Sequence, residues 1–314
     1  MKILTITKND AGQRLDKFLT KTLPTLPPAL MYKAIRTKKI KVNRKRCDGA
    51  TMLCEGDTVQ LFLAPEFFAE RPADELFLHI TPKLRIVYQD ENILLCDKPE
   101  GLLCHSDESD IGGATLIDHI KAYLYRSGEY NPASEQSFAP ALCNRIDRNT
   151  GGFVIAAKTA EALRELNSAI KDGRVGKRYL CAVKGVPSPR QATLRAYLTK
   201  DAAANEVKIF DKQSPNSKEI ITAYRVLSEK NGISLLEVDL ITGRTHQIRA
   251  HLAHIGHPLL GDGKYGVNRD DGLRSQALYS YKVNFAFPDG PLAYLGGREF
   301  EIDRKNISWI GRFE

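Results

Sequence analysis

No stretch of this 314-residue chain approaches the roughly 18 to 20 consecutive apolar residues of a membrane-spanning helix. The N-terminus, Met1-Lys2-Ile3-Leu4-Thr5, lacks the long apolar run of a secretory signal, so the cytoplasm is the expected location and a membrane is not an expected partner. There is no CxxC pair. The six cysteines, at positions 47, 54, 96, 104, 143 and 181, are dispersed, and several follow apolar residues, as in Leu94-Leu95-Cys96 and Ala141-Leu142-Cys143. Reduced, partly buried thiols are expected rather than disulfides or a zinc site. No GxxxxGK loop followed by Ser or Thr occurs, which argues against a nucleotide cofactor held by such a loop. HExxH and the deaminase zinc signature are also missing. No internal repeat and no low-complexity tract is present. No cofactor and no metal are therefore expected.

Basic charge is present, and it is concentrated. The net charge is +8, yet residues 17–47 hold ten Lys or Arg and no acid, so the rest of the chain sums to −2. A solubilising charge would be spread more evenly; a local block reads as a docking face for a polyanion, with nucleic acid as the first candidate, an anionic membrane surface as a weaker one and a solvated basic face as the bland one. Lys33, Arg36, Lys38, Lys39, Lys41, Arg44, Lys45 and Arg46 are its candidate contacts.

The length allows two domains. Residues 1–63 read as a small module: a helix with Leu15, Phe18 and Leu19 on one face, a proline-containing turn, and a second helix with Leu30, Met31, Ala34 and Ile35 inward and Lys33 outward. A strand, Lys39 to Asn43, then a basic turn and a closing strand, Thr58 to Leu63, complete it. Basic side chains on a helix and an adjoining hairpin can follow a phosphate backbone without reading bases. Residues 64–83, with Pro65, Pro72 and Pro82, read as a linker. Residues 84–314 form the second domain. Strands are expected at 86–88, 93–97, 153–157, 177–184, 192–198, 220–227, 233–240 and 279–287, and helices at 114–126, 160–172 and 246–255. Residues 106–113 and 127–140 read as loops. Thr159 is an N-cap residue, and Leu163, Leu166 and Ile170 form the stripe of the helix after it. Many strands and few helices point to the α+β class, with a mixed, mainly antiparallel sheet and peripheral helices.

Four segments could carry chemistry. In Asn144-Arg145-Ile146-Asp147-Arg148-Asn149-Thr150-Gly151-Gly152, two arginines flank one aspartate; a nearby cation favours the carboxylate form. Taken alone this is a salt-bridged turn or an active-site loop. In Thr242-Gly243-Arg244-Thr245-His246-Gln247-Ile248-Arg249, a strand ends and a helix begins, and the orphan amides of a helix start favour an anion. Ile248, Leu252 and Ile255 make its buried stripe. The histidines at 246, 251, 254 and 257 invite a metal reading, but no Cys or Glu set with zinc-site spacing accompanies them. The glycine-rich run Gly256 to Gly266 is either a plain connection or a pocket wall. Tyr179, in Gly176-Lys177-Arg178-Tyr179-Leu180, either stacks on a base or packs in the core.

Together these segments resemble the pseudouridine synthases that modify large-subunit ribosomal RNA and transfer RNA. Asn144 to Gly152 is similar to the family's His-Arg-Leu-Asp-Arg-x-Thr-Ser-Gly motif, and Thr242 to His251 with Gly256-His257-Pro258 and Gly261-Asp262 to its second motif. Asp97-Lys98-Pro99-Glu100-Gly101 resembles its Asn-Lys-Pro-x-Gly segment, and Lys177-Arg178-Tyr179-Leu180 its Lys-x-Tyr-Leu segment. Residues 12–63 resemble the alpha-L RNA-binding module. Two departures stand out: Asn144 replaces the usual histidine, and Gly151-Gly152 replaces Ser-Gly.

The resemblance implies an RNA pseudouridine synthase that needs no cofactor. Asp147 would be the catalytic carboxylate, either attacking C1′ or removing a ribose proton. Tyr179 would stack on the flipped base and assist proton removal, and Arg249 would pair with Asp147. Ile248 would line the apolar pocket, Arg145 would hold the flipped nucleotide or the displaced stem, and Asn144, Arg244 and His246 complete the expected substrate pocket. Large-subunit ribosomal RNA is the first expected partner and transfer RNA the second; no obligate protein partner is inferred, and a monomer is expected. A non-catalytic RNA-binding or ribosome-assembly protein would keep the basic module and lose the chemistry. A metal-dependent nuclease would require an acidic cluster around Asp147, which the sequence does not supply.

Overall fold

Leu15, Phe18 and Leu19 share one helical face, and all three are fully buried in helix α1 (Leu15–Thr22). The structure is a computed structural model that describes residues 1–68, 76–106, 113–201, 206–266 and 272–313. Helix α2 (Pro28–Arg36) starts at a proline, whose fixed φ and missing N–H suit a first turn. Met31, Ala34 and Ile35 point inward as expected, but Leu30 is 43% exposed. At 100° per residue, Leu30 falls roughly 90° from the centre of the stripe that the other three define. Strands β1 (Lys2–Thr5), β2 (Ile40–Val42) and β3 (Thr58–Leu61) form a three-stranded antiparallel sheet in the order β1-β3-β2. Strand β1 is an addition to the sequence reading. Only Leu4 of its four residues is buried, too little to make a pattern.

The basic residues lie where the charge pattern puts them. Lys33, Arg36, Lys38, Lys39, Arg44, Lys45 and Arg46 are exposed, and Lys41 is half-buried with its ammonium 5.7 Å from the centre of the Phe62 ring. Asn43 and Arg44 turn the chain between β2 and β3 with left-handed φ values of 49° and 63°.

The described ends of the expected linker do not run free. Phe67 and Phe68 pack against the N-terminal core, and α3 (Leu76–His79) buries Phe77 against α4 (Leu116–Arg126). The rest of that segment, 69–75, and most of the expected loop at 106–113, namely 107–112, lie outside the described residues. The N-terminal core meets the remainder of the chain through polar contacts. Buried Asp10 accepts from Gln136 Nε2 at 2.9 Å and Ser137 Oγ at 2.6 Å, and Asn9 Oδ1 accepts from the Ala160 amide at 3.2 Å.

Ile93-Leu94-Leu95-Cys96 is apolar without alternation because both of its faces are covered. It belongs to β5 (Ile93–Lys98), which pairs with β4 (Ile86–Gln89) and β7 (Gly151–Ala157). The two-residue β6 (Ala141–Leu142) also pairs with β7. The sheet continues through β8 (Val175–Lys184), β9 (Gln191–Asp201), β10 (Glu206–Phe210), β11 (Lys218–Lys230), β12 (Ile233–Leu240), β13 (Leu278–Phe285) and β14 (Glu299–Glu301). Its eleven strands, among the described residues, run β10-β9-β11-β12-β8-β13-β7-β5-β4, with β14 on β13 and β6 on β7. Every described pairing is antiparallel except β13 with β7. The expected mixed, mainly antiparallel sheet is observed. Strands β6, β10 and β14 were not expected; β6 and β14 are too short to show a period.

Helix α5 (Ala160–Lys171), capped by the Thr159 hydroxyl, lays Ala162, Leu166 and Ala169 on the face that carries Phe153 and Ile155. Helices α4 and α6 (Gln247–His254) cover the opposite face, where Ile120, Leu124, Ile248 and Leu252 meet Val154 and Ala156. No helix is long and apolar enough to cross a membrane among the described residues.

Candidate active site

The turn after β6 carries Asp147. The Thr150 amide donates to the Asp147 carbonyl at 3.0 Å, which closes the turn before the chain enters β7. Asn144 anchors the other side. Its Oδ1 accepts from the Ile155 amide at 2.8 Å and its Nδ2 donates to the Phe153 carbonyl at 3.3 Å. Asn144 lines the cleft, but its amide is used to tie the Asp147 loop to β7. The expected flanking ion pairs are not what holds Asp147: its carboxylate meets Arg249, 102 residues further along the chain.

Beneath the loop lies Lys98, fully buried at the end of β5. Its ammonium donates to the carbonyls of Pro99, Leu102 and Arg148 at 2.9, 2.7 and 2.9 Å. Burial pushes its pKa down to about 8. Three carbonyl acceptors stitch the 99–102 turn to the Asp147 turn.

Arg249 sits in the first turns of α6 with only 9% of its side chain exposed. Its Nη1 donates to Asp147 Oδ2 at 2.8 Å, while Nε and Nη2 donate to the two oxygens of Asp262, both at 2.8 Å. Asp262 is completely buried, and its Oδ1 also accepts the amides of Lys264 and Tyr265 at 2.9 and 3.1 Å. Burial opposes charge on both partners, but the mutual hydrogen bonds outweigh it: the Arg249 pKa is raised and the Asp262 pKa lowered. One guanidinium thus serves a buried carboxylate and a cleft-facing one. The Tyr265 ring lies against it, 5.3 Å from the guanidinium carbon. The glycine-rich run is therefore more than a connection, yet none of its residues lines the cleft; it braces Arg249 from behind. Asp262 was not among the expected site residues. Its signal was an acid between two glycines in a tight loop, and Gly261 is obligatory there, with φ of 70° and the Ser275 carbonyl oxygen 2.1 Å from where a Cβ would stand.

His246 begins α6 in the left-handed region, at φ 52°, which a side-chain-bearing residue adopts only when its surroundings hold it. Its Nδ1 is 2.9 Å from the Tyr265 hydroxyl and its Nε2 3.9 Å from Asp147 Oδ2. Burial lowers its pKa, so the ring is neutral at pH 7. Gln247, which the sequence reading did not single out, anchors the approach to α6. Its side chain accepts from the Thr242 hydroxyl and the Arg244 amide and donates to Ile221 and Thr222.

These groups line one wall of a cleft of about 1440 Å³. That exceeds the roughly 300 to 1,000 Å³ of small-molecule pockets. Tyr179, Ile248, Ile146 and Leu278 give it apolar patches, all of them buried side chains that reach the cleft surface. Arg145 and Arg244 are exposed and also line the cleft. Burial pushes the Tyr179 hydroxyl up to about 12, so the ring stays a phenol at neutral pH. The histidines do not make a metal centre: no His, Cys, Asp and Glu group capable of holding a metal is found among the described residues. His251 is hydrogen-bonded to Thr222 and His254 to Asp211.

A polar cleft that holds an arginine-bound carboxylate above apolar side chains is matched by relationship. Residues 92–254, which include Asp147, Tyr179 and Arg249, match the family described as RNA pseudouridylate synthase. An uncharacterized RNA pseudouridine synthase of Mycoplasma genitalium is 34% identical over 289 residues, which span 89% of this chain and 88% of that protein. The chain belongs to the RNA pseudouridylate synthase family. It is an RNA pseudouridine synthase, an isomerase. Ribosomal large subunit pseudouridine synthase C of Vibrio vulnificus is 31% identical over 300 residues, covering 92% of this synthase and 89% of that one. Among solved structures, human RNA pseudouridylate synthase domain containing 4 shares the fold, with a TM-score of 0.56 at 20% identity over 73% of this chain and 92% of that one.

Proposed function

We propose that this synthase isomerises uridine to pseudouridine in large-subunit ribosomal RNA, with Asp147 as its catalytic carboxylate and without a cofactor. The observation that carries this reading is the ion pair of 2.8 Å between Asp147 and Arg249 at the wall of a cleft wide enough to admit a nucleotide. The relatives named for the ribosomal large subunit make that RNA the first choice of substrate, ahead of transfer RNA.

The reaction breaks the bond from N1 to C1′, turns the uracil and joins C5 to C1′. The proton lost from C5 is balanced by one gained at N1, so no oxidant or external energy source enters. The uridine must first leave its stack, at a cost of a few kcal/mol. Asp147 is the one carboxylate whose side chain lines the cleft among the described residues, so it is the group that can reach the ribose or the ring. Arg249 orients it. Tyr179 and Ile248 supply the surfaces against which a detached uracil stays trapped. Arg145, Arg244, His246 and Asn144 border the same space.

Residues 1–63 serve, in this reading, as an RNA-binding module of the alpha-L kind, joined through residues 64–83 to a catalytic domain over 84–314. Support comes from the exposed basic residues on α2 and around the turn from β2 to β3, which can hold phosphates and supply binding energy for base flipping. The test is pseudouridine mapping of unmodified large-subunit ribosomal RNA after incubation with the wild type and with Asp147→Asn. The wild type is expected to form pseudouridine at defined positions and the variant to bind RNA but form none. Substantial product from the variant rejects the role given to Asp147.

A further inference from the structure

Helix α5 joins two places that the proposed function treats separately. Its first turns meet the N-terminal core: the Ala160 amide donates to Asn9, and the Arg164 guanidinium lies against Gly12, 3.0 Å from where a Cβ would stand. Its last turns line the cleft, through Asn167, Ile170 and Lys171. Arg164, Asn167 and Lys171 are spaced i, i+3 and i+7, so they occupy one helical face, and all three are exposed. The rise from Arg164 to Lys171 is about 10 Å.

The charges of this face are uncompensated. Among the described residues, Arg164 and Lys171 have no ion-pair partner, whereas the acids of the same helix are engaged elsewhere: Glu161 lies 3.9 Å from Lys8, and Glu165 is bound to Arg174 at 3.0 Å. Across the seam, α1 presents Lys17 and Lys21, one turn apart and both exposed. The Lys21 ammonium donates to the neutral Gln13 side chain at 3.0 Å. Gln13 is the neighbour of Gly12, against which Arg164 lies, so the two cations share one seam; burial first and then the Arg164 charge lower the Lys21 pKa, against the opposing charge of Asp10. Two acids lie near the seam: Asp10, buried, accepts from Thr7, Gln136 and Ser137, and Glu135 accepts from Asn9 at 2.9 Å. Two cations set together, with the nearby acids engaged by other partners, are stabilised by an anion that bridges them.

We propose that the RNA strand crosses from the N-terminal core to the cleft along α5, with phosphates held between Lys21 and Arg164 at the seam and by Lys171 at the cleft mouth. This rests on the RNA-modifying reading above and adds its path. Energetically, a phosphate at the seam bonds to both bodies at once, so RNA binding fixes the basic core relative to Asp147. Lys21 stands near the start of the basic run 17–47, whereas Arg164 and Lys171 lie far outside it.

The test measures the affinity of unmodified, in vitro transcribed large-subunit ribosomal RNA across a salt series. The proteins compared are the wild type, Arg164→Gln/Lys171→Gln, Arg164→Glu/Lys171→Glu and Arg164→Lys, each with its melting temperature. Losing two phosphate contacts is expected to lower the slope of log affinity against log salt by about 1.5. The glutamine pair should bind at least 10-fold more weakly at low salt and the glutamate pair more weakly still, while Arg164→Lys keeps the wild-type slope. An unchanged slope in both charge-removed pairs overturns the path and leaves the enzymatic reading intact. A wild type that shows no salt-dependent binding to this RNA overturns the ribosomal RNA reading itself.

Discussion

Arg249 grips Asp262 through two parallel hydrogen bonds of 2.8 Å and thereby leaves only Nη1 to face Asp147. The bidentate pair fixes the plane of the guanidinium, so the position of the cleft carboxylate depends on a residue that never touches the cleft. Removing the charge of Asp262 leaves a buried guanidinium with one partner fewer. Asp262→Asn should lower kcat by about 100-fold with a small change in KM, the usual size for a misplaced catalytic group. It should also cost about 3 kcal/mol of stability, as broken buried pairs do. Steady-state kinetics together with denaturant unfolding check both; an unchanged kcat would show that Asp147 does not depend on this brace.

Gly151 stands where the related motif carries serine, and the reason is Tyr279. A Cβ on Gly151 would lie 2.3 Å from the Tyr279 ring, whose hydroxyl donates to Asp97 at 2.6 Å. Gly151→Ser should therefore destabilise the protein by about 2 kcal/mol, within the range of overpacking. The double variant Gly151→Ser/Tyr279→Leu should lose less than the sum of the two single variants. Additive losses in thermal melting would show that the ring is not the obstacle.

His251 is buried against Thr222, and burial followed by the His254 charge brings its pKa down to about 4. The unfolded chain then takes up the proton at higher pH than the folded one. Stability from this group is full above about pH 6.5, falls as the pH drops from 6.5 to 4, and levels off below that. His251→Gln should flatten the loss of melting temperature between pH 6.5 and 4 relative to the wild type. Identical pH slopes for the two proteins would contradict the buried neutral state.

The exposed cations of the N-terminal core, Lys38, Lys39, Arg44, Lys45 and Arg46, make a distinct prediction. Replacing all five with glutamine should weaken ribosomal RNA binding and lower its salt slope by up to about 4, one phosphate contact each. Product formation at saturating RNA and low salt should persist. A slope equal to that of the wild type would remove this face from the docking surface.

Much of the secondary structure was legible because apolar periodicity reports burial directly. The stripes of α1, α4, α5 and α6 and the run of β5 each name their covered faces. Leu30 escaped that logic, since a residue at the edge of a stripe is assigned by its neighbours and not by its own hydropathy. Strands β6 and β14 escaped it because two or three residues carry no period. At the site, Asp147, Tyr179, Ile248 and Arg249 were legible as motif residues and are brought together at the cleft. Asp262, Lys98 and Gln247 were not singled out. Each works through partners that local sequence cannot name: a guanidinium, three carbonyls, and a strand edge.

By itself, the sequence determined most of the buried faces, where the positive charge lies and which single acid stands in the motif. Those follow from local patterns of hydropathy and charge. The motif resemblance already paired Arg249 with Asp147; only the tertiary structure decided that Asp262 holds that arginine from behind, that Asn144 ties a strand, and that the glycine-rich loop braces an arginine. Such pairings depend on distances between segments, which folding sets and local composition does not.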